Sequence, residues 1–519
     1  MLLRKISFLL LAAAIVYPLV IQIVFPRFTI DDAFITFRYA ENLALRGELN
    51  WNVGEDPVEG YTGVALPVLL AGAITAGIDP EAASRVIGVA SFWFSFLMLF
   101  LIGRRIQLPF VGIAGFLFLF ATTPILYTHA LSGLETMLFL ALLLSVLCAS
   151  LYRKDTILLV LLLMTSLVRP EGVAFSVIIL CATGWWRYRE DRILFKRFLR
   201  QTISIYILPA LAYFLWRFNY YGRLLPNTFY AKSGVGFQVD ALIDIARFLR
   251  RYFAVPSLGV AVLFAAETDL LWESVKRFCR ERKAIVLVIA GILFNAVLVA
   301  FFSRTHLTMN FSHRFYTMLL PATWLLLLFC IRIGFTVLAS TKTEKPVRYR
   351  FILGMLALLI MYQTAFQAVK ARDEFTFANS QIILQKSEHT RIGKMLRELV
   401  PADATLSVHA DAGAIPYFSK LHTIDFGGLN DEYLSFRGLS PQEITEYFYE
   451  RRPDISVFTS VDGASIIDNT ESAAILSDPR FHDYVLFNRF APGDAKIRYY
   501  EFVYLRKDLY EKLKKEGKI

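Results

Sequence analysis

Residues 28–39 read FTIDDAFITFRY and place two adjacent carboxylates, Asp31 and Asp32, directly after the first apolar run of the chain. An acidic pair beside a bilayer is costly unless it has a use. Near lipid headgroups the pKa of one carboxylate can rise until it accepts a proton from a hydroxyl, while its neighbour orients that hydroxyl or holds a cation. The structural alternative is an N-cap on the next helix, with Arg38 as an ion-pair partner. These residues alone leave both interpretations open.

The composition around this pair is that of a membrane protein. Of 519 residues, 56% are hydrophobic, and the mean hydropathy is +0.49. Apolar runs near the length of a bilayer crossing recur from residue 6 to residue 369, whereas residues 370–519 have the composition of a soluble domain. The sequence therefore predicts a membrane domain over 1–369 and a second domain over 370–519.

The net charge of +11 belongs to the membrane half. Before residue 370 there are 35 Lys and Arg against 21 Asp and Glu, and from residue 370 onward 20 against 23. Positive charge beside transmembrane helices sets their orientation and contacts anionic lipid headgroups. We therefore predict membrane lipid, and no nucleic acid, as a partner.

The basic loops also give a topology, because Lys and Arg collect in cytoplasmic loops. The clusters are Arg4-Lys5, Arg104-Arg105, Arg153-Lys154, Arg187 to Arg200, Lys276 to Lys283 and Lys342 to Arg350. All of them face the cytoplasm if the chain crosses at 6–26, 86–102, 109–126, 135–151, 156–168, 173–186, 201–216, 252–268, 284–302, 316–338 and 351–369. This predicts about eleven transmembrane helices, an N terminus inside, a C-terminal domain outside and a retained signal anchor at the start.

Five outer loops are expected to converge. The first, 27–85, holds the acidic pair and an apolar run, Val64 to Ile78, that we predict to lie on the membrane surface. Another is the break at Arg169-Pro170-Glu171-Gly172, which cannot continue a lipid-facing helix. The others are 128–135, 217–251 and 303–314.

The pattern changes after residue 370 to that of a small α/β domain. A helix is expected near 379–399 and another near 441–451. Strands are expected at Thr405 to His409, Thr423 to Phe426, Ile455 to Thr459, Tyr484 to Phe490 and Arg498 to Tyr504.

The chain lacks the sequence motifs of several classes of function. The chain has no Walker loop, dinucleotide fingerprint or HExxH pair, and its four cysteines form no zinc pattern. This argues against ATP-driven transport, nicotinamide chemistry and zincin proteolysis. A divalent cation stays undecided, since adjacent Asp residues can coordinate one.

Other segments, together with the acidic stretch, carry a resemblance to a known family. They are Trp51-Asn52, Val58 to Thr62, Ser132 to Thr136, Arg169 to Gly172, Tyr221 to Thr228, His313 to Phe315, Asp411 to Tyr417, Ile424-Asp425 and Gly428 to Asp431. The chain resembles GT-C glycosyltransferases similar to the terminal β-arabinofuranosyltransferases of arabinogalactan assembly. It is more distantly similar to protein mannosyltransferases and lipid A aminoarabinose transferases. The resemblance implies a polytopic GT-C fold in a bacterial inner membrane, with an extracytoplasmic active site and a polyprenyl-phosphate sugar as donor.

The resemblance also implies roles for particular residues. Asp31 or Asp32 would act as base toward the acceptor hydroxyl. The leaving phosphate needs fixed polar partners, for which the candidates are Arg38, Arg169, Arg223, Asn227, Lys232, His313 and Arg314. Secondary contacts are expected from Tyr39, Trp51, Glu59, Tyr61, Glu135, Glu171 and Asp411. The structural alternatives are interfacial anchors, helix caps and an aromatic belt.

The implied activity is transfer of a sugar, arabinofuranose by the same resemblance, to a hydroxyl of a cell-envelope glycan. One alternative is a protein O-glycosyltransferase on the same fold. Another is a flippase for lipid-linked sugars, which would carry ionisable residues deep within its spans, and here Arg332 is the clear candidate. A third is a non-catalytic partner with the same fold, against which the intact acidic pair argues.

Overall fold

The structure is a computed structural model that describes residues 2–232, 236–264, 268–305, 307, 309–344, 346–435, 439–466 and 470–519. Its helices as far as residue 384 are α1 Leu2–Val24, α2 Asp31–Arg46, α3 Ala65–Thr75, α4 Pro80–Arg105, α5 Phe110–Ala121, α6 Ile125–Leu131, α7 Thr136–Tyr152, α8 Asp155–Val168, α9 Glu171–Glu190, α10 Arg192–Gln201, α11 Leu208–Tyr221, α12 Asn227–Lys232, α13 Val239–Phe264, α14 Thr268–Arg280, α15 Arg282–Phe302, α16 Leu320–Glu344 and α17 Pro346–Leu384.

The C-terminal part contains both helices and strands. They are α18 Thr390–Leu399, β1 Thr405–Val408, α19 Ala414–Ser419, β2 His422–Asp425, α20 Glu432–Ser435, α21 Pro441–Arg451, β3 Ile455–Ser460, α22 Thr470–Ser477, β4 Tyr484–Phe490, β5 Tyr500–Arg506 and α23 Lys507–Lys515. π-helical turns at Thr202–Ile207 and Gln385–His389 join α10 to α11 and α17 to α18, and 3₁₀ turns lie at Phe311–His313, Tyr316–Leu319 and Pro479–Asp483.

The helical half is that of a polytopic membrane protein. Six helical stretches of the described residues are long and apolar enough to cross a bilayer, or seven if α5 and α6, bent by 61°, count as one span. The six are Arg4–Val24, Pro80–Arg105, Arg192–Tyr221, Ala284–Phe302, Phe311–Ala339 and Val347–Leu399. Helices also lie at the other predicted spans, but the count of eleven and the orientation stay predictions.

The expected break after α8 is present. α8 ends at Val168, Arg169 adopts an extended conformation, and Pro170 precedes the first residue of α9. Gly172 then packs against the preceding helix so closely that a Cβ atom would lie 2.2 Å from the carbonyl oxygen of Thr165. The glycine therefore permits a tight helical hairpin whose turn carries an arginine.

The C-terminal strands form one sheet of order β2-β1-β3-β5-β4. β1 pairs in parallel with β2 and β3, whereas β5 pairs antiparallel with β3 and β4. All five strands lie within a few residues of the predicted positions, which confirms a sheet domain at the C terminus.

The first outer loop and this sheet share one hydrophobic core. Tyr39, Trp51 and Tyr61 of the loop pack in the same cluster as Val408 of β1 and Val503 of β5. Helix α17 runs without interruption across the predicted boundary at residues 369 and 370. Burying three large aromatic side chains is a substantial hydrophobic contribution, so the sheet domain is docked on the loop and not merely tethered to it.

Arg38 provides the polar part of this junction. Its guanidinium donates to the carbonyls of Trp51, Pro416 and Leu421 at 2.9–3.0 Å, and to the side chain of Asn52 at 2.9 Å. The structural alternative, an Asp N-cap with Arg38 as an ion-pair partner, is therefore wrong. Helix α2 begins at Asp31 itself, and its N-cap, Ile30, makes no side-chain bond.

We expect Arg38→Met to loosen the sheet domain. The substitution removes the hydrogen bonds of a buried guanidinium to three carbonyls and to Asn52, and a hydrogen bond from a charged group contributes about 1.5–3 kcal/mol. Thermal unfolding in detergent should begin at a lower temperature, and limited proteolysis should release the C-terminal part sooner. Arg46→Met, at the exposed end of the same helix, is the control. Equal behaviour of the two variants would contradict this account of the junction.

Candidate active site

The two adjacent carboxylates face different parts of the molecule. Asp31 and Asp32 occupy the first turn of α2, where the helix dipole favours negative charge. Consecutive residues of an α-helix point about 100° apart around its axis. As a result, Asp31 is directed to the sheet domain and Asp32 to the last outer loop.

Asp31 is buried and accepts several hydrogen bonds. The backbone N–H groups of Gly413 and Ala414 donate to its two carboxylate oxygens at 2.8 and 2.9 Å, and the imidazole of His389 lies 3.2 Å from Oδ1. Burial by itself would raise the pKa of Asp31, but His389 and the two N–H groups outweigh it and hold the pKa below the ordinary value. Asp31 therefore joins α2 to the sheet domain as an anion.

Asp32 enters an ionic network with residues from three other outer segments. Its Oδ2 lies 3.4 Å from Nη1 of Arg314, whose Nη2 lies 3.2 Å from Oε1 of Glu135. Glu135 also pairs with Arg169, and Arg169 pairs with Glu171 at 3.0 Å. These five residues, called the ionic network below, come from four of the five loops expected to converge.

Local breaks in the helices place these charges. Glu135 follows Gly133, whose φ of 88° ends the preceding turn. Arg169 lies in the break between α8 and α9, and Arg314 follows two residues of positive φ, Ser312 and His313. Irregular backbone at the membrane is tolerated where it is covered by protein or lines a cavity.

The centre of the ionic network is buried and its ends are not. The side chains of Arg169, Glu135 and Arg314 are at most 4% exposed, whereas those of Glu171 and Asp32 are 12% and 19% exposed. Buried charges of this kind persist only when each has a partner of opposite sign. The arrangement thus holds the fixed guanidinium group of Arg314 next to the partly exposed carboxylate of Asp32, with a second fixed guanidinium group, that of Arg169, on the other side of Glu135.

Other predicted residues lie elsewhere. Asn227 donates to the carbonyls of Gly428 and Leu429 at 3.0 Å, and Arg223 pairs with Glu432 at the surface. Their loop thereby docks on the sheet domain. His313 contacts Arg251 at 3.0 Å, and the side chain of Lys232 lies outside the described residues.

The predicted aromatic and remaining acidic residues also belong to the junction with the sheet domain. Tyr39 and Tyr61 are at most 2% exposed, and the indole of Trp51 donates to the carbonyl of Thr423 at 3.0 Å. Glu59 forms a buried ion pair with Arg217. Asp411 accepts from Thr459 at 3.1 Å beyond the end of β1. The structure does not bring any of these side chains to the ionic network.

Some contacting residues were not singled out by sequence reasoning. His389 and Gln385 reach Asp31 from the π-helical turn after α17. Glu374 accepts from Thr128 at 2.5 Å and from Ser312 at 2.6 Å, so it ties α17 to two outer loops. Glu374 lies on α17, and Gln385 and His389 lie in the π-helical turn that follows it. Many exposed polar residues surround them in the sequence, and nothing in their spacing distinguishes them from these neighbours.

Comparison with known proteins identifies the fold of the chain. The C-terminal residues 379–505 match a family described as a domain of unknown function, DUF8728, and no curated protein sequence matches the chain. ArnT from Cupriavidus metallidurans bound to undecaprenyl phosphate superimposes with a TM-score of 0.55, at 14% identity over 96% of this chain and 97% of that one. Its apo structure gives 0.54 at the same identity and coverage.

A second solved protein has a related architecture. The oligosaccharyltransferase AglB from Archaeoglobus fulgidus, in complex with an inhibitory peptide and a dolichol-phosphate, gives a TM-score of 0.51 at 11% identity, over 88% of this chain and 69% of that one. The chain has the GT-C fold. The expected fold is thereby confirmed, while the arabinofuranosyl specificity stays a prediction.

We expect Arg169→Met to destabilise the protein far more than Arg223→Met. The first substitution removes the partner of Glu171 and one of the two cations that pair with Glu135, and breaking a buried ion pair costs about 3–5 kcal/mol. The second removes a pair whose side chains are about 40% exposed, which is worth about 0–1 kcal/mol. Thermal unfolding in detergent measures the difference. Similar midpoints for the two variants would contradict the buried ionic network.

Proposed function

We propose that the protein is a glycosyltransferase that moves a sugar from a polyprenyl-phosphate donor to a hydroxyl acceptor on the outer side of the membrane. The observation that carries this proposal is the ionic network, in which a partly exposed carboxylate, Asp32, lies beside the fixed guanidinium group of Arg314. Two proteins of the same fold were solved with undecaprenyl phosphate and dolichol-phosphate, which supports a donor of that class.

Arg314 and Arg169 are the cations for the donor phosphate. They are held by Glu135 between them, so little side-chain entropy is lost when a phosphate binds. A donor phosphate near Asp32 would compete for Arg314 and free the carboxylate for the acceptor. As the sugar leaves, negative charge develops on the phosphate oxygen, and a preorganised guanidinium stabilises that charge without rearrangement.

Asp32 is the proposed base. The acceptor oxygen attacks the anomeric carbon, its proton passes to Asp32, and the bond between the anomeric carbon and the phosphate oxygen breaks with the electron pair going to the polyprenyl phosphate. Asp31 is a less suitable base because its oxygens already accept from Gly413, Ala414 and His389. We assign Asp31 a positioning role, through the docking of the sheet domain next to Asp32.

The sugar and the acceptor rest on the sequence resemblance. Arabinofuranose on a cell-envelope glycan is the first choice, and a secreted protein is the alternative acceptor. For the flippase alternative, Arg332 carries little weight, because it pairs with Glu281 at 2.7 Å, next to the start of α15.

We expect Asp32→Asn to lower kcat about 10²–10⁴-fold, as loss of a general base does, with an unchanged unfolding midpoint. The assay offers purified protein a panel of synthetic polyprenyl-phosphate sugars with glycan or protein acceptors. Asp56→Asn, in an exposed part of the same loop, should keep full activity. Asp31→Asn should lower the unfolding midpoint as well as the rate.

Either of two results would contradict the assignment. The first is an Asp32→Asn variant that transfers sugar within about tenfold of the wild type. The second is protein that binds donor and transfers it to no acceptor in the panel, which would favour the flippase.

We expect Arg314→Lys to impair use of the donor. The compact ammonium of lysine cannot reach Asp32 and Glu135 together as the forked guanidinium does. The kcat/KM for the donor should fall about 10–100-fold, the equivalent of one charge-assisted hydrogen bond, while the acceptor KM is unchanged. Arg304→Lys, exposed in the same loop, is the control. An equal loss in both variants would contradict a role in donor binding.

A further inference from the structure

A second group of ionisable side chains lies behind Asp31, inside the junction between α17, α18 and the sheet. Its members are Asp31, Glu388, His389, Asp411 and Glu501, called the acidic cluster below. Donor atoms of Asp31, His389 and Asp411 all lie within 4.8 Å of one another. None of these residues belongs to the ionic network that contains Asp32.

The imidazole of His389 is the centre of the acidic cluster. Its Nδ1 lies 3.2 Å from the carboxylate of Asp31. Its Nε2 lies 3.6 Å from Oε1 of Glu501 and 3.8 Å from Oδ2 of Asp411, and has no hydrogen-bond partner. The two distances from Nε2 are too long for hydrogen bonds. Two donors bound to one tetrahedral zinc ion, each about 2.0–2.1 Å from it, lie about 3.4 Å apart.

Glu388 is an independent sign of a missing partner. Its side chain is completely buried, and neither carboxylate oxygen accepts a hydrogen bond. In the part of the chain that the structure describes, His389 is the only basic residue that pairs with members of the acidic cluster. Three buried carboxylates and a fourth, that of Asp411, which is largely covered, are costly beside one imidazole unless protons or a further cation compensate them.

The acidic cluster lies at the edge of the sheet where ligands of open α/β sheets commonly bind. In the sheet, β2 lies on one side of β1 and β3 lies on the other side, so the strand order reverses at β1. Ligands of open α/β sheets bind at the carboxyl ends of the strands where the order reverses in this way. Asp411 follows β1, and Glu501 pairs with Thr459 near the end of β3. The π-helical turn that carries Glu388 and His389 is a feature frequent at functional sites.

We propose that the acidic cluster binds one divalent transition-metal ion through Nε2 of His389 and the carboxylates of Asp411 and Glu501. Glu388, which is adjacent to His389 in the π-helical turn and has no hydrogen-bond partner on either carboxylate oxygen, supplies a fourth ligand. Asp31 accepts the Nδ1–H of His389, which is how a carboxylate commonly orients a metal-binding histidine. One imidazole with carboxylates suits Zn²⁺ or Mn²⁺. The ion links α17 and α18 to the sheet and, through Asp31, to α2.

The test measures metal bound to the full-length protein in detergent after removal of any purification tag. The protein is stripped with EDTA, equilibrated with Zn²⁺ or Mn²⁺, passed over a desalting column and analysed by elemental mass spectrometry. The same procedure is applied to Glu501→Gln and His389→Gln. His409→Gln is the matched control, because His409 is a buried histidine of the same domain that stacks between the rings of Phe426 and Phe458.

We expect about one ion per chain in the wild type and in His409→Gln, and at least about tenfold weaker binding in the two cluster variants. The metal should also raise the unfolding midpoint of stripped wild-type protein by several degrees, since a ligand of the native state stabilises it. This second measurement does not depend on the folding of any variant. Far less than one ion per wild-type chain, or equal retention in Glu501→Gln, would overturn the proposal and leave protons as the compensating charge.

Discussion

The contact between Asp31 and the backbone of Gly413 and Ala414 determines how the two halves of the molecule meet. A carboxylate in the first turn of α2 receives two N–H donors from the start of α19, and His389 approaches it from the helix that joins the membrane half to the sheet. A Cβ atom on Gly413 would lie 2.0 Å from the carbonyl oxygen of Asp31, so the approach requires glycine. Around this contact, Arg38 and the aromatic core of the first loop complete the junction.

The same contact explains why the acidic pair can serve two purposes. Because Asp31 is committed to the sheet domain, the helix presents its neighbour in a fixed direction, and Asp32 meets Arg314. The ionic network behind Asp32 is built from short breaks in the helices, each of which places one charge at a buried position. Preorganised charges of this kind are the main means by which proteins stabilise charge that develops during a reaction. The fold that is similar to those of ArnT and AglB thus carries an ionic network in its outer loops here.

Much of the architecture followed from the sequence, since apolar runs and alternating strands are local signals. The five strands and the break at Arg169 belong to this class. The ionic network does not, because Asp32, Glu135, Arg169, Glu171 and Arg314 were only some of the candidates that the resemblance offered. The bonds of Arg38 to Leu421 and of Asn227 to Gly428 do not, because the accepting backbone carbonyls lie 383 and 201 residues away in the chain. Tyr39 and Trp51 illustrate the same limit, since an aromatic residue in an outer loop fits a sugar site and a buried junction equally well. Glu501 could have been found, because it shares an alternating face of β5 with Val503 and Leu505, which are both buried.

The most direct measurement of the division between Asp31 and Asp32 is an electron cryomicroscopy structure of the protein with a bound polyprenyl phosphate. We predict the phosphate within about 4 Å of the Arg314 guanidinium, the range of a charge-assisted contact, with Asp32 turned away from Arg314 and Asp31 still bonded to Gly413 and Ala414. A phosphate bound away from the ionic network, or an Asp31 carboxylate released from the sheet domain and turned toward the donor, would contradict the account.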